Sequence, residues 1–244
     1  MRKKISFILA IALTLALFTL ITLPSYSSRE QIVVARVIDG DTFVGEDGRT
    51  FRLSNINTPE KSTYGAEEAK RYLSLFEGAQ VAIESLGTDK YGRTLVRLYA
   101  PEYVNHELVA QGLAVKFLVE ETEAEAFANA EVRAIEEQNG IWKHSPYFGC
   151  ISSRIEEKEE FVVLHSVCGA LNIKGWIIRD ESRKSYSFKE NIITEVVIYT
   201  GKGTDNKTAI FWDSSTPIWN NDRDTLYLLD SEGRIVHNAA YGYK

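Results

Sequence analysis

Five short β-prone runs between Gln31 and Tyr99, separated by turn signals, constrain this chain more than any other feature. Gln31 to Ile38 alternates as a strand, Thr42 to Val44 and Arg49 to Ile56 flank the turn Asp47-Gly48, and Gln80 to Leu86 and Thr94 to Tyr99 flank Asp89 to Arg93. One helix interrupts them, near Gly65 to Glu77, with Ala66, Ala69, Leu73 and Phe76 on one face and a stop at Gly78. Two more helices are expected, around Asn105 to Gln111 and Glu121 to Gln138, the second ended by Gly140. A five-stranded Greek-key barrel of the OB type with appended helices, an α+β domain, fits this order.

The connections carry chemistry as well as turns. V-I-D-G-D-T (Val37 to Thr42), F-R-L-S-N-I-N-T-P-E (Phe51 to Glu60) and T-D-K-Y-G-R (Thr88 to Arg93) offer two carboxylates, Asp41 and Glu60, and two guanidiniums, Arg52 and Arg93. A carboxylate suits a hard cation or a proton, and a planar guanidinium binds phosphate oxygens bidentately as lysine cannot. Pro59 fixes its own φ and restricts Thr58. Each run alone is weak, because D-G, T-P and Y-G are ordinary turn signals. Asp39 and Asp41 could simply shape a turn, and Arg52 could be an outward strand residue. The ordered set points instead to phosphodiester hydrolysis, which needs a phosphate neutralised, a water deprotonated and transition-state charge held.

The same region resembles the staphylococcal nuclease (thermonuclease) family, also through V-N-H-E-L-V-A-Q-G-L-A at Val104 to Ala114 and N-G-I-W at Asn139 to Trp142, over roughly Gln31 to Trp142. The resemblance implies the same OB barrel and calcium held by Asp41, with the Thr58 carbonyl as a further ligand. It implies Glu60 as general base, Arg52 and Arg93 as phosphate clamps, and Lys90 and Tyr91 against the neighbouring nucleotide phosphate. Cleavage at the 5′-oxygen, leaving 3′-phosphate ends on DNA and RNA, is expected with it. Two departures matter. Asn57 stands where the family usually has a second aspartate, which weakens calcium binding and admits another divalent cation. Past Gly112 the chain reads L-A-V-K-F-L-V-E, without the tyrosines the family often uses for stacking.

Charge bears on the partner. Arg29 to Cys150 holds 13 basic and 20 acidic residues, a balance of −7, where a polyanion-binding protein profits from a basic face. The positive charge must be local, with Arg52, Arg93, Lys90, Lys61 and Lys116 as candidates for one patch amid helical glutamates such as Glu120, Glu121, Glu123 and Glu131. Weak, salt-sensitive binding and a preference for single strands follow.

The second half has another character. Runs rich in Val, Ile, Tyr, Phe and Trp recur at Phe161 to His165, Gly175 to Arg179, Ile193 to Thr200, Thr208 to Trp212, Thr225 to Leu229 and Arg234 to Asn238, which points to a β-sandwich. L-N-I-K-G-W at Leu171 to Trp176, S-Y-S-F at Ser185 to Phe188 and W-N-N-D-R-D-T-L-Y-L-L-D at Trp219 to Asp230 resemble the lamin-tail domain, an immunoglobulin-like module. Trp176, Trp212 and Trp219 are read as core or rim packing. Nothing in this half resembles a catalytic site, so a tether for an unknown surface or polymer ligand is expected of it.

The expected organisation is residues 1–28 as targeting segment, 29–144 as barrel domain, 145–158 as linker and 159–244 as sandwich. Arg2, Lys3 and Lys4 precede an uncharged run from Ile5 to Leu23, with Ser25 and Ser27 just beyond. This is an export signal cut before Ser28, or an uncleaved anchor, the one route to membrane association. Cys150 and Cys168 form either a disulfide or two free thiols. The expectation is an exported calcium-dependent nuclease; the alternative is a catalytically weak OB-fold binding or adhesion protein.

Overall fold

The computed structural model describes residues 29–189 and 192–243; the targeting segment at 1–28 lies outside the described residues. In the first half, β1 (Glu30–Val37), β2 (Thr42–Gly45), β3 (Thr50–Leu53), β5 (Gln80–Thr88) and β6 (Thr94–Tyr99) close a barrel in the order β1-β2-β3-β6-β5. The β3–β6 pair is parallel and the β1–β2, β2–β3 and β5–β6 pairs are antiparallel. A short ribbon, β4 (Ile56–Asn57) with β7 (Val115–Lys116), lies outside it and sets Asn57 opposite Val115. Phe43 stacks on Phe51 with ring centroids 5.0 Å apart inside the barrel, among Val34, Leu53, Ile83, Val96 and Leu98, all buried.

Three helices cover the barrel: α1 (Ala66–Ser74), α2 (Val104–Ala110) and α3 (Ala124–Glu136). The first places Ala66, Ala69 and Leu73 inward, and a 3₁₀ turn at Glu121–Glu123 precedes the last. The buried Asn105 of V-N-H-E-L fastens α2 to the barrel. Its Oδ1 accepts from Leu98 N at 2.9 Å while Nδ2 donates to Ser54 O at 2.9 Å and Val96 O at 3.0 Å. The glycines of Q-G-L-A and N-G-I-W have a steric reason. A Cβ on Gly112, at φ +66°, would fall 2.2 Å from Asn139 O, so only glycine lets the two loops cross.

The second half holds two four-stranded sheets. One runs β12 (Ser185–Ser187), β11 (Ile177–Arg179), β16 (Asp224–Leu229), β17 (Ile235–Tyr241). The other runs β15 (Ala209–Phe211), β14 (Glu195–Tyr199), β9 (Phe161–Ser166), β8 (Ile151–Glu156), and a small pair, β10 (Leu171–Asn172) with β13 (Ile192–Ile193), completes the architecture. Trp176 and Trp219 are buried between the sheets and Trp212 packs against them. Strand β8 falls inside the stretch 145–158 expected to be linker. Its I-S-S-R-I-E carries only Ile151 and Ile155 inward, so it shows little apolar signal and is held by a hairpin register with β9 from Ile151↔Ser166 to Glu156↔Phe161. A disulfide joins Cys150 to Cys168 across that hairpin.

The two halves share a core. All six residues of β16 are buried, because the strand has neighbours on both faces. Leu226 and Leu228 enter the sandwich core, whereas Tyr227 and Leu229 meet Val115, Ala134, Ile135 and Trp142 of the barrel domain. Trp142 stacks on Tyr227 at 5.3 Å. Beside this stack lies Lys116, expected on a basic surface patch and found 1% exposed. Its Nζ lies 2.6 Å from Glu131 and 3.1 Å from Glu181 of the second domain, and donates to Thr225 Oγ1 at 2.6 Å. Glu131, expected among surface glutamates, is buried as its partner. Pairing of β7 with β4 turns Lys116 inward against the other domain, which periodicity in one half cannot reveal. From Gln31 onward the described residues accordingly form one compact unit.

Candidate functional site

Asp41 lies immediately before β2 and is buried. Its Oδ2 accepts from Thr58 N and Thr58 Oγ1, both at 3.1 Å, and its Oδ1 from Thr42 Oγ1 at 3.0 Å. This contact requires Gly40, because a Cβ there would sit 2.6 Å from Ala69 Cβ and 2.7 Å from Thr58 Oγ1. The glycine of D-G-D thus lets the N-T-P segment close over the start of β2. Asp39, whose Oδ1 accepts from Asp41 N at 3.2 Å, has its pKa raised by burial and then by the Asp41 charge.

Arg52 stands opposite Thr42 in the β2–β3 register. Its Nη2 donates to Asn57 Oδ1 at 2.6 Å and Ile56 O at 2.9 Å and lies 3.3 Å from Asp41 Oδ2, while Nη1 donates to Leu53 O. The guanidinium is fixed before any ligand arrives. Burial lowers its pKa, Asp41 opposes, and Arg93 and Arg183 reinforce the lowering; a guanidinium stays charged throughout the ordinary pH range. Arg93 precedes β6, where its Nε donates to Asp89 Oδ2 at 2.8 Å and its Cζ lies 5.4 Å from the Tyr91 ring centroid. Lys90 Nζ lies 5.0 Å from the same ring, which is largely exposed.

One cleft of about 910 Å³ is lined by Asp41, Arg52, Asn57, Thr58, Glu60, Lys90, Tyr91 and Arg93. Every residue that the sequence put forward for catalysis, metal or substrate reaches it. Asp39, expected only to shape a turn, lines it too, as do Leu118, Ser182 and Arg183, which were not put forward for the site. Leu118 is 67% exposed at φ +47°, an apolar side chain on the rim near where stacking tyrosines were missed. Ser182 and Arg183 come from the second domain. Arg183 Nη1 donates to Glu60 Oε1, and Asn57 Nδ2 donates to Glu181 O at 3.2 Å, so two of the barrel's candidate residues are held by the sandwich. No signal local to either half could have paired Glu60 with a residue 123 positions away.

The fold and this cleft now meet the known proteins. The family model described as staphylococcal nuclease homologue matches residues 50–144, and the lamin tail domain model matches residues 152–243. The barrel is thus similar to staphylococcal nuclease homologues and the sandwich to the lamin tail domain, each match covering less than half of the chain. An "Uncharacterized endonuclease" of Escherichia coli O157:H7 is 40% identical over 87 residues, 33% of this chain and 57% of that protein. A "Micrococcal nuclease" of Shigella flexneri is 27% identical over 147 residues, 54% of this chain and 83% of that protein. The chain thus spans little more than half the length of the Escherichia coli relative.

Proposed function

We propose that this protein is an exported, cation-dependent nuclease that hydrolyses phosphodiester bonds of DNA and RNA with little sequence preference. One observation carries the reading: two carboxylates and two guanidiniums, far apart in sequence, line a single cleft on a staphylococcal nuclease barrel. Arg52 and Arg93 receive the scissile phosphate and hold the charge that grows on its oxygens, the largest demand of such a reaction. Glu60, exposed enough to meet solvent, orients or deprotonates the attacking water. Arg52 is the more rigid of the pair because four acceptors already fix it, and a preorganised donor costs no reorganisation during reaction.

The donor set fits a hard cation. Asp41, with Asp39 close behind it, supplies carboxylate oxygen, and Asn57 Oδ1 and the Thr58 carbonyl supply neutral oxygen, the ligand types calcium prefers. When bound, the cation would neutralise phosphate charge and polarise the attacked centre. Asn57 removes one formal charge, and among the described residues no cluster of three His, Cys, Asp or Glu side chains suits a metal. We therefore expect calcium to bind in the millimolar range of extracellular modules; calorimetric affinity in the micromolar range would contradict this. The disulfide and the N-terminal basic-apolar run support export. The lamin tail domain shares a core with the barrel, so any anchor bound to it would fix the orientation of the cleft as well as its location.

The deciding assay incubates protein from Arg29 onward with single-stranded DNA, duplex DNA and RNA, with calcium and with chelator. Glu60→Gln should lower kcat by about 100-fold or more, in the range of general-base removal, and Arg93→Ala by a similar factor. Single strands should be cut faster, with rates falling between about 50 and 200 mM salt. Full activity in chelator, or in Glu60→Gln, would refute the proposal.

A further inference from the structure

Behind Glu60 lies a second cavity, smaller than the first and built by both domains. Its volume is about 210 Å³, and its walls include Tyr64 and Ile141 of the barrel domain and Leu229 of the lamin tail domain. Two arginines reach it, Arg179 from the end of β11 and Arg183 from the turn after it. Arg183 is already engaged with Glu60. Arg179 differs from every arginine of the main cleft. Its Cζ rests 5.5 Å from the Tyr227 ring centroid, and among the described residues its side chain makes no ion pair or hydrogen bond. Burial draws its pKa down, with Arg183 adding to the effect. Two carboxylates act on it through space, Glu131 and Asp180, and neither bonds to it. Glu131 is held by Lys116 Nζ and Tyr227 Oη, and Asp180 Oδ1 accepts from Lys184 N at 2.8 Å and Oδ2 from Ser182 Oγ at 2.6 Å.

A half-buried guanidinium with no carboxylate in direct contact is an electrostatic cost that a protein normally avoids by pairing. Here the unpaired donors face a cavity that shares Asn57, Thr58, Pro59, Glu60 and Arg183 with the main cleft. An anion arriving along a strand already seated on Arg52 and Arg93 would supply the missing partner. The cavity admits a phosphate with part of a sugar but no second strand. We propose that Arg179 and Arg183 form a phosphate subsite, contributed by the lamin tail domain, which binds the backbone phosphate adjacent to the bond being cut. This deepens the nuclease reading and rests on it. The second domain thereby becomes a specificity-determining part of the enzyme, favouring substrates that extend past the scissile bond in single-stranded form.

The test uses short oligonucleotides with one cleavable linkage, in which the neighbouring linkage on either side is a normal phosphodiester or an uncharged methylphosphonate. For the unaltered protein, neutralising the neighbour on one side should reduce kcat/KM about tenfold, mostly through KM, the effect of losing a charged hydrogen-bonded contact. In Arg179→Gln that ratio should collapse towards one, and in Arg179→Lys most of it should survive. Arg183→Gln provides a second arm should Arg179→Gln fail to fold. Equal kcat/KM for charged and neutral neighbours in the unaltered protein, or an undiminished ratio in both glutamine variants, overturns the subsite while leaving the nuclease intact. If no oligonucleotide is cut at all, the nuclease reading fails and binding decides the subsite. Fluorescence anisotropy should then show Arg179→Gln weakening the charged ligand alone, and equal binding of both ligands would overturn it.

Discussion

Replacing Lys116 by methionine isolates what holds the two domains together. The ammonium is one cation facing two carboxylates, at 2.6 Å from Glu131 and 3.1 Å from Glu181, all three nearly inaccessible. Breaking a buried ion pair by removing one partner costs about 3–5 kcal/mol, because a charge is left buried and uncompensated. Here the lower end applies, since both carboxylates keep donors. Tyr227 Oη donates to Glu131 at 2.8 Å, Lys116 N to Glu131 Oε1 at 3.0 Å, and Tyr243 Oη to Glu181 at 2.6 Å. Lys116→Met should thus lose about 3 kcal/mol. Glu181→Gln should lose less than about 1 kcal/mol, because the Lys116–Glu131 pair survives and the amide oxygen still accepts from Thr225 and Tyr243.

Urea unfolding followed by tryptophan fluorescence and far-ultraviolet circular dichroism measures both, and the two probes should coincide because barrel and sandwich share Trp142, Tyr227 and Leu229 in one cluster. The deficit should also depend on pH. Burial holds the Glu181 carboxyl above its ordinary pKa of 4.5 despite the opposing charge of Lys116. An acid raised on folding binds its proton more tightly in the native state, so its penalty is present above the folded pKa and fades as pH falls towards 4.5. Without Lys116 that penalty is larger, and the gap between variant and parent should narrow on acidification. A loss from Glu181→Gln equal to that from Lys116→Met, or two separate transitions in the unaltered protein, would refute the shared charged core.

Three further outcomes follow from other parts of the molecule. Asp224, fully buried, has its pKa raised to about 6 by burial, so ionising it should lower stability by about 3 kcal/mol as pH rises from about 4 to 6; Asp224→Asn should flatten that slope in thermal melts while adding a pH-independent cost from its lost acceptor. Leu118→Tyr places an aromatic ring on the exposed rim of the cleft and should tighten single-strand binding by about 1 kcal/mol, read by anisotropy, at a site that already tolerates positive φ. Reducing the Cys150–Cys168 bond should cost about 3 kcal/mol in the chain-entropy estimate, with unchanged cleavage at temperatures where the protein stays folded.

The barrel and its cleft were legible because their determinants are local. A turn signal at Asp47-Gly48, a helix with Ala69 and Leu73 on one face, and charged residues at or near the ends of strands each declare themselves within a few positions. What escaped needed partners from the other half. The T-L-Y-L-L run of β16 lacks the alternation of a half-exposed strand, and that is the one local sign that a second body covers it. Lys116 and Glu131 read as surface charges because isolated charged residues nearly always are. Their burial follows from Glu181, Thr225 and Tyr227, all supplied by the lamin tail domain. The strand β8 was missed for the opposite reason, since its pairing rests on backbone bonds to β9 rather than on apolar content.

The acidic balance of the barrel domain, −7 from Arg29 to Cys150, argues against a polyanion substrate only if acids outnumber bases where it binds, and at the cleft they do not: Asp39, Asp41, Glu60 and Asp89 line it beside Arg52, Lys61, Lys90, Arg93 and Arg183. Glu120 and Glu123 are paired with Arg97, Glu121 with Arg223, and Glu131 with Lys116, and none of these glutamates lines the cleft. Arg52, Arg93 and Arg183 instead gather closely enough that each of the latter two depresses the pKa of the first. With a screening length of about 8 Å at physiological ionic strength, a phosphate inside the cleft responds to these guanidiniums and barely to the distant glutamates. Long-range steering is then sacrificed while short-range grip is kept. Association should be slow for a nuclease and the salt slope shallow, reporting the few arginines in the two cavities rather than a basic face. A slope indicating six or more neutralised phosphates would mean that the strand runs over a surface other than this cleft.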